Sequence, residues 1–500
     1  MPAASRMTWR AAAEDALGIG RTPARRARVA GVLAVFLLAL AVRSLYALDL
    51  APVMYSRVQP GTRMAWRYDE AAVGILQGEG VLWPRHPDPA RTGLLARPPG
   101  YPLFLALVYR ALGRSFFAAQ LAQNVLTSAA CVALAMAAAR LVSWPVGLGG
   151  GLVAALSPHL GFSSNFLLPD ALSAVPLLAA LALLARAHPD APARWWTSAG
   201  AGLLVGVAAW LRPNVMLLAP LLAVVVVAVS RDRRRALGHA LVLAAGAAVL
   251  VLPITLRNYA VFHAWVPLSI NGGLTLWQGV ADAGGEAQGA RRRDKLVMDE
   301  EAERYGNPRY REWWAEPDGI FRDRERYRRA RAVIRAHPLA YAGVVVWRAA
   351  AMLSYAGPGP PLLSEGAAAL VARAEDDGPD DARVHDLGPR PEDARFLRFA
   401  GPVAPLRPLL ATAQAVLVLV LTPLALVGAA ALLALRWRAS LLLLSLTLYY
   451  LCTESFFLYE WRVAVPMHYP LFACAAAALL LPVALARSAM RGRRLQNQAG

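Results

Sequence analysis

Cysteine, lysine and histidine are scarce in this chain of 500 residues, which holds 3 cysteines, a single lysine and 8 histidines. The cysteines, Cys131, Cys452 and Cys474, lie in apolar stretches and form no CxxC pair, so neither a disulfide framework nor a zinc site is indicated. The histidines show no HExxH or other metal-ligand spacing. The chain also lacks a P-loop, a GxGxxG turn between a strand and a helix, and a GxSxG elbow, which argues against the classes these motifs mark.

Apolar residues, in contrast, are abundant. Hydrophobic residues make up 57% of the sequence and the mean hydropathy is +0.41, too apolar for a soluble protein of this length. Several stretches reach roughly 20 apolar residues, the length that spans a hydrocarbon core ~30 Å thick. The sequence therefore predicts an all-α polytopic membrane protein. Much of its net charge of +19 lies at span ends, where it orients the chain, so no nucleic-acid partner is expected.

The basic N-terminal segment 1–28 and the basic tail 487–500 are predicted to be cytoplasmic. Both termini on one side require an even number of crossings, which the ten predicted spans satisfy without segment 338–356. That segment is then re-entrant or interfacial, or a span is merged or missed elsewhere. About 10–12 transmembrane helices are expected in all. The predicted spans are 29–48, 115–140, 144–162, 170–187, 197–211, 214–230, 236–256, 408–435, 439–458 and 463–486.

Three long stretches, 49–114, 257–337 and 357–407, are predicted on the opposite, extracytoplasmic face. The first contains a short amphipathic juxtamembrane helix over 68–77, which should end at Gly78. The third is rich in proline, glycine and acidic residues and is predicted to be irregular. No cleavable signal peptide is expected, and residues 29–486 are predicted to form one membrane domain.

Two acidic positions are candidates for catalysis on that face. In Tyr68-Asp69-Glu70, neighbouring helical residues point about 100° apart, so only one carboxylate can face a reacting atom and serve as a base. The alternative for Asp69 is an N-cap that accepts a backbone N–H. Asp170 follows Pro169 at the start of a span, and the same alternative applies to it.

Four arginines on the same face are candidates for phosphate binding, because a guanidinium forms bidentate contacts with phosphate. The alternative for Arg97, Arg212 and Arg257 is an interfacial arginine whose charged head reaches water. Ionisable groups near a membrane are costly, so their gathering on one face favours a site. The arginines are Arg97 (in Arg97-Pro98-Pro99-Gly100-Tyr101-Pro102), Arg212, Arg257 and Arg462; Tyr68, Tyr101 and Glu460 are further candidates, and Glu460 could alternatively form only a local ion pair with Arg462.

These elements, in this order, resemble the GT-C membrane glycosyltransferases, the superfamily of the protein O-mannosyltransferases and the lipid A aminoarabinose transferase. The elements that carry the resemblance are Tyr68-Asp69-Glu70, Arg97-Pro98-Pro99-Gly100-Tyr101-Pro102, Leu168-Pro169-Asp170, Leu211-Arg212-Pro213-Asn214, Arg257-Asn258-Tyr259 with Asn271-Gly272-Gly273, and Glu460 with Arg462 and Pro466.

The resemblance implies a GT-C-like fold and a polyprenyl-phosphate sugar as donor. It implies inverting transfer to a protein, lipid or envelope glycan on the periplasmic face of a bacterial inner membrane. It assigns the base to Asp69, a phosphate contact to Arg97 and a second acidic site to Asp170. The family often has Lys or His where Arg97 stands, so phosphate contact but not proton donation is expected there. No cofactor or metal is expected to be required, although a weakly bound divalent cation is left open. The soluble C-terminal domain of some relatives is expected to be absent.

Two other classes of function are open at this point: a polytopic transporter or flippase of a lipid-linked substrate, and a non-catalytic scaffold in envelope assembly. A transporter should place charged or helix-breaking residues near the middle of its spans, often in paired halves. This chain concentrates its charges at span ends on one side, which favours the enzyme.

Overall fold

The structure, a computed structural model, describes residues 23–54, 62–81, 91–187, 194–353 and 407–499, with most of 11–21 and Tyr355. Within these residues regular structure is helical, and the strand-like pairing is confined to an isolated bridge between Trp313 and Glu316. The all-α prediction is thereby confirmed. From residue 23 onward the α-helices are α1 (Arg25–Met54), α2 (Thr62–Leu76), α3 (Gly100–Leu112), α4 (Phe116–Leu141), α5 (Trp144–Leu156), α6 (Pro158–Ser163), α7 (Pro169–Leu184), α8 (Trp195–Leu211), α9 (Leu218–Val229), α10 (Arg233–Phe262), α11 (Asn271–Gly279), α12 (Asp294–Tyr305), α13 (Gly319–Ala336), α14 (Pro338–Leu353), α15 (Arg407–Phe456) and α16 (Val465–Ala499).

Five of these helices contain segments long and apolar enough to cross a membrane: Arg25–Leu48, Phe116–Leu141, Arg233–Phe262, Ala411–Phe456 and Val465–Pro482. Six shorter apolar segments of 10–17 residues accompany them, among them α7, α8 and α14. The protein is a multi-pass membrane protein, as predicted.

Helix α15 corresponds to two predicted spans. Its 50 residues would extend about 75 Å if straight, more than twice the ~30 Å of a hydrocarbon core. The backbone is non-helical at Arg436, with φ −143° and ψ 56°, in the break predicted between 408–435 and 439–458. The predicted span 144–162 differs: it divides into α5 and α6 at Ser157, because Pro158 cannot continue the preceding helix.

The membrane helices approach each other closely at glycine. Helices α15 and α16 pack along one another, as do α8 and α10. A Cβ on Gly428 of α15 would lie 1.8 Å from the carbonyl oxygen of Cys474 on α16. Small residues that allow two backbones to approach are typical of helix contacts in membranes. The three cysteines are all unpaired.

The apolar segment predicted at 338–356 forms α14, which is 16 residues long. That is about 24 Å, shorter than the ~30 Å core. Its first turn lies near the end of α15, where the Tyr341 hydroxyl donates to the carbonyl of Phe456. Its last residue reaches the middle of the first half of α15, where Thr422 donates to the carbonyl of Leu353 at 2.7 Å. Almost all of the predicted loop 357–407 lies outside the described residues.

Residues 263–337, predicted as part of a charged outer stretch, fold into a helical subdomain with its own apolar core. Its members include Trp277, Val280, Val297 and Val333, and Leu95 and Ala96 join them from the first stretch. We call residues 263–337 the outer subdomain. It packs beside the ends of α10 and α15, and so closes one side of the candidate site.

Candidate functional site

A cavity of about 830 Å³ opens between α2, the segment 91–99 and the outer subdomain. Both charge signs line it, together with the aromatic rings of Tyr68 and Trp313. Its charged lining residues are Arg67, Glu70, Glu79, Arg91, Arg97, Arg114, Arg257, Glu312 and Glu316. Such a mixed polar and aromatic lining suits a ligand that carries both phosphate and hydroxyl groups.

Asp69 lies beneath this cavity and not on its surface. Helix α2 begins at Thr62, earlier than the predicted 68–77, so Asp69 lies inside the helix and the N-cap alternative does not apply. Its side chain is fully buried. Tyr109 donates to Asp69 Oδ1 at 2.8 Å, and Arg114 forms an ion pair with the same carboxylate. The neighbouring Glu70 is exposed and lines the cavity, so the two carboxylates do point in different directions.

Arg97 links the cavity to a polar cluster behind it. Its guanidinium lies 4.8 Å from the centre of the Tyr68 ring, and the locked backbone of Pro98 and Pro99 precedes α3 at this point. Arg97 Nη1 is buried and has no hydrogen-bond partner among the described residues. Burial, with the like charges of Arg67 and Arg462 and against the favourable influence of Tyr68, lowers the pKa of the Arg97 guanidinium from its ordinary value. An anion placed here would accept a hydrogen bond from Nη1 and would offset the cost of burying the positive charge.

Arg212 and Asp170 form a second ion pair in the polar cluster. Asp170 is in the first turn of α7 and is buried, while Arg212 follows the last residue of α8. The Nε of Arg212 is buried without a hydrogen-bond partner in the described part of the chain. Asp170 therefore serves as the counter-ion of an arginine that still has a donor to offer.

Glu460 and Arg462 form the third pair, with Arg462 Nε 2.7 Å from Glu460 Oε2. Partial burial opposes the charge of Glu460, but Arg462 and Arg212 outweigh it, so the pKa of Glu460 is lowered. The charge of Arg462 also acts on Arg97 and on Arg212. The structure thus brings the predicted residues Tyr68, Arg97, Asp170, Arg212, Glu460 and Arg462 into one polar cluster.

Besides Asp69 and Glu70, two predicted residues lie apart from that cluster. Arg257 lines the cavity from the end of α10, and its Nη1 donates to Asn258 Oδ1 at 2.8 Å. Tyr101 is buried under Tyr68, with ring centres 5.1 Å apart, and donates to Gln123 Oε1 at 3.0 Å. Tyr101 therefore supports the site without reaching the cavity.

Several residues of the site were not foreseen. Arg114 and Tyr109 hold Asp69, and Asn214 donates to Glu454 Oε1 at 2.8 Å beside the polar cluster. Glu454 could have been found, because a carboxylate near the end of an apolar span is a functional candidate by default. Trp313 has the Arg67 guanidinium 4.0 Å from the centre of its ring. Nothing in the sequence around Trp313 indicates that it lies at the site.

The cavity wall contributed by the outer subdomain is held by buried arginines. Arg322 donates to the carbonyl of Trp313 at 2.7 Å, and Arg326 donates to that of Trp314 at 3.3 Å. Both arginines also pair with Glu301, at 2.7 and 2.6 Å. All three side chains are buried. The turn that presents Trp313 and Glu316 to the cavity is thus fixed from inside the subdomain.

Residues 96–256 match the family model described as Dolichyl-phosphate-mannose-protein mannosyltransferase. This match confirms the predicted resemblance to the GT-C membrane glycosyltransferases. Among curated proteins, none matches the chain.

The solved structures that match the chain are 11–18% identical to it. The oligosaccharyltransferase of Archaeoglobus fulgidus in its apo form is 14% identical with a TM-score of 0.47, over 93% of this chain and 52% of that one. The chain thus spans about half the length of that enzyme. ArnT from Cupriavidus metallidurans bound to undecaprenyl phosphate is 17% identical with a TM-score of 0.36, over 90% of this chain and 77% of that one.

Proposed function

We propose that this protein is a glycosyltransferase that moves a sugar from a polyprenyl-phosphate-linked donor to an acceptor, at the extracytoplasmic face of a bacterial inner membrane. The observation that carries the proposal is the pair of unsatisfied guanidinium donors, Arg97 Nη1 and Arg212 Nε, in one polar cluster. The description of the matched family names a donor of this kind, dolichyl-phosphate-mannose.

A phosphate is the group that best fits these donors. A buried donor left without a partner costs about 1–3 kcal/mol, more when it is charged. Phosphate oxygens accept short, charge-assisted hydrogen bonds from guanidinium groups. Arg97, Arg212 and Arg462 would hold the donor phosphate and stabilise the charge that grows on it as the sugar departs. Arg257 would contact the donor or the acceptor from the opposite wall of the cavity.

The reaction would be a single displacement. The acceptor hydroxyl oxygen attacks the anomeric carbon, the bond from that carbon to the phosphate oxygen breaks, and the electron pair leaves with the lipid phosphate. Asp69 would accept the hydroxyl proton, or orient the hydroxyl. The displacement would invert the configuration at the anomeric carbon. Base assistance of this kind contributes typically ~10²–10⁴-fold to the rate. Asp69 is buried and bonded by Tyr109 and Arg114, whereas Glu70 already lines the cavity, so Glu70 is the competing base.

The proposal is tested by transfer of labelled sugar from a panel of polyprenyl-phosphate sugars by the full chain in nanodiscs. Asp69→Asn should lower turnover about a hundredfold or more while the lipid phosphate is still bound. If Glu70→Gln has that effect and Asp69→Asn does not, the base is Glu70. Turnover should survive a chelator if the reaction requires no metal, as we propose.

The same assay tests separately whether Arg97 binds the donor phosphate. Arg97→Gln should raise the donor KM about tenfold or more, as expected when a charge-assisted hydrogen bond to phosphate is lost. Arg91→Gln is the matched control, because Arg91 lines the same cavity but is exposed and is outside the polar cluster. Equal effects of the two substitutions would contradict a specific phosphate site at Arg97. No turnover with any donor would contradict the transferase and direct the next test to transport of a lipid-linked substrate.

A further inference from the structure

Helix α13 carries two separate rows of arginine. Arg322, Arg326 and Arg329 recur at intervals of four and three residues and are buried, where Glu300 and Glu301 neutralise them. A second row recurs at intervals of four, three and four residues and therefore lies on one exposed face. We call this second row the arginine stripe: Arg324, Arg328, Arg331 and Arg335.

The arginine stripe has little counter-charge of its own. Arg328 pairs with Glu325, and the Arg331 guanidinium lies 5.8 Å from the centre of the Tyr327 ring. Within the described residues, Arg324, Arg331 and Arg335 form no ion pair with a carboxylate. The buried arginines Arg322, Arg326 and Arg329 are paired with glutamates, because an unpaired charge inside a protein is costly. The exposed stripe leaves at least three cations free for an outside partner.

One end of the stripe adjoins a helix that contacts the end of a membrane span. Helix α14 begins two residues after Ala336, and Tyr341 in its first turns bonds the carbonyl of Phe456 at the end of a membrane span. On the other side of α14, Leu339, Val346 and Trp347 are 86%, 69% and 59% exposed. Exposed apolar side chains on a helix packed against a membrane span face lipid tails. Arg335 is therefore four residues from the exposed Leu339, and Arg331 precedes Arg335 by about one helical turn.

We propose that the C-terminal end of the arginine stripe, Arg331 and Arg335, binds the anionic headgroups of phospholipids in the leaflet beside the outer subdomain. Anionic headgroups are available at that depth, and arginine matches phosphate geometry. A basic residue near such a surface strengthens attachment about fivefold. The contact is independent of the sugar-transfer chemistry, and it would fix the height of the subdomain, and hence of the cavity wall, above the membrane.

The test uses the full chain reconstituted in vesicles of equal parts phosphatidylcholine and phosphatidylglycerol, followed by native mass spectrometry of the lipids retained. The double substitution of Arg331 and Arg335 by Gln should lower the affinity for phosphatidylglycerol about fivefold for each arginine removed. The control combines Arg324→Gln with Arg328→Gln, which removes the same charge from the distal end of the stripe. It should lower the affinity for phosphatidylglycerol less. Lys at Arg331 and Arg335 should retain most of the binding, and separates loss of charge from misfolding.

Three outcomes would overturn the proposal. The first is phosphatidylglycerol binding that is unchanged when Arg331 and Arg335 are replaced by Gln. The second is an equal loss from the proximal and distal pairs, which would indicate a general effect of net charge. The third is unchanged lipid binding with loss of binding to soluble polyphosphate, which would assign the stripe to a soluble polyanion.

Discussion

Arg114 reaches from the cavity surface to the buried carboxylate of Asp69. Of the side chains that bond Asp69, Arg114 lines the cavity and is 46% exposed, while Tyr109 is buried. Tyr109 and Arg114 together donate three hydrogen bonds to this carboxylate, which occupy much of its capacity of about four lone-pair sites. Asp69 is thus held in one orientation by a residue that a substrate can touch.

This arrangement makes Arg114 a positioning residue for Asp69, and the kinetics of Arg114→Gln should reveal it. We expect kcat to fall about 10- to 100-fold, because a misplaced reacting group loses rate, while the donor KM changes little. Arg114→Lys should restore part of kcat. An increase in donor KM at constant kcat would show instead that Arg114 binds the donor phosphate.

Removing the carboxylate of Glu301 should unfold the outer subdomain. Glu301→Gln leaves Arg322 and Arg326 buried with only carbonyl acceptors, and breaking a buried pair from one side costs about 3–5 kcal/mol. Limited proteolysis and thermal unfolding of the full chain would measure this. Glu325→Gln, which breaks the exposed pair with Arg328, is the matched control and should leave both readouts unchanged.

Gly428 should not tolerate alanine. The added Cβ would lie 1.8 Å from the Cys474 carbonyl oxygen, which is backbone and cannot move aside. We expect Gly428→Ala to lower the thermal midpoint and the yield of folded protein, since overpacking costs about 1–3 kcal/mol or more. At Gly343, where a Cβ meets nothing within 4 Å, alanine should be neutral or stabilising. Equal stability of the two variants would contradict the close approach of α15 and α16.

Asp323 should make stability depend on pH. Burial raises the pKa of Asp323 to about 7, against hydrogen bonds such as that donated by the Gly273 N–H at 2.8 Å. The folded state therefore holds a proton that the unfolded state releases near pH ~3.9. The stabilisation is complete below that pH and is lost as the pH rises to about 7. Asp323→Asn keeps an acceptor for Gly273 but does not titrate.

The measurement is the difference in thermal midpoint between Asp323→Asn and wild type across pH 5–8 in nanodiscs, a range that brackets the pKa of about 7. We expect the variant to gain relative to wild type as the pH rises. A difference that stays constant over this range would show that Asp323 does not titrate there.

The sequence predicted the membrane helices well because they are apolar runs, and the length and hydropathy of a run can be read directly from the sequence. The break at Arg436 fell where charged residues interrupt the pattern. The sequence does not reveal the start of α2, because Thr62–Trp66 contains no strong cap or periodicity, and for that reason it allows Asp69 as an N-cap. The outer subdomain was missed because its core is built from residues scattered among many arginines.

The predicted site residues were found by their charge near span ends, and most of them do meet in one polar cluster. Arg114 could not be assigned, because its partner is 45 residues away and nothing local connects it to Asp69. The exposure of Glu70 and the burial of Asp69 follow from where α2 packs against Tyr101 and Tyr109. That packing is a tertiary property, and the helical period alone leaves the choice between the two carboxylates open.

The arginines behind Trp313 have a consequence for binding. Because Arg322 and Arg326 fasten the turn's carbonyls to a shared Glu301, the turn is ordered before any ligand arrives. Ordering a free loop on association would cost about 0.5–1.5 kcal/mol for each side chain immobilised. Here that conformational entropy is lost during folding. A substrate that contacts Trp313 and Glu316 therefore meets a rigid surface, and the subdomain contributes to affinity through atoms that the ligand never touches.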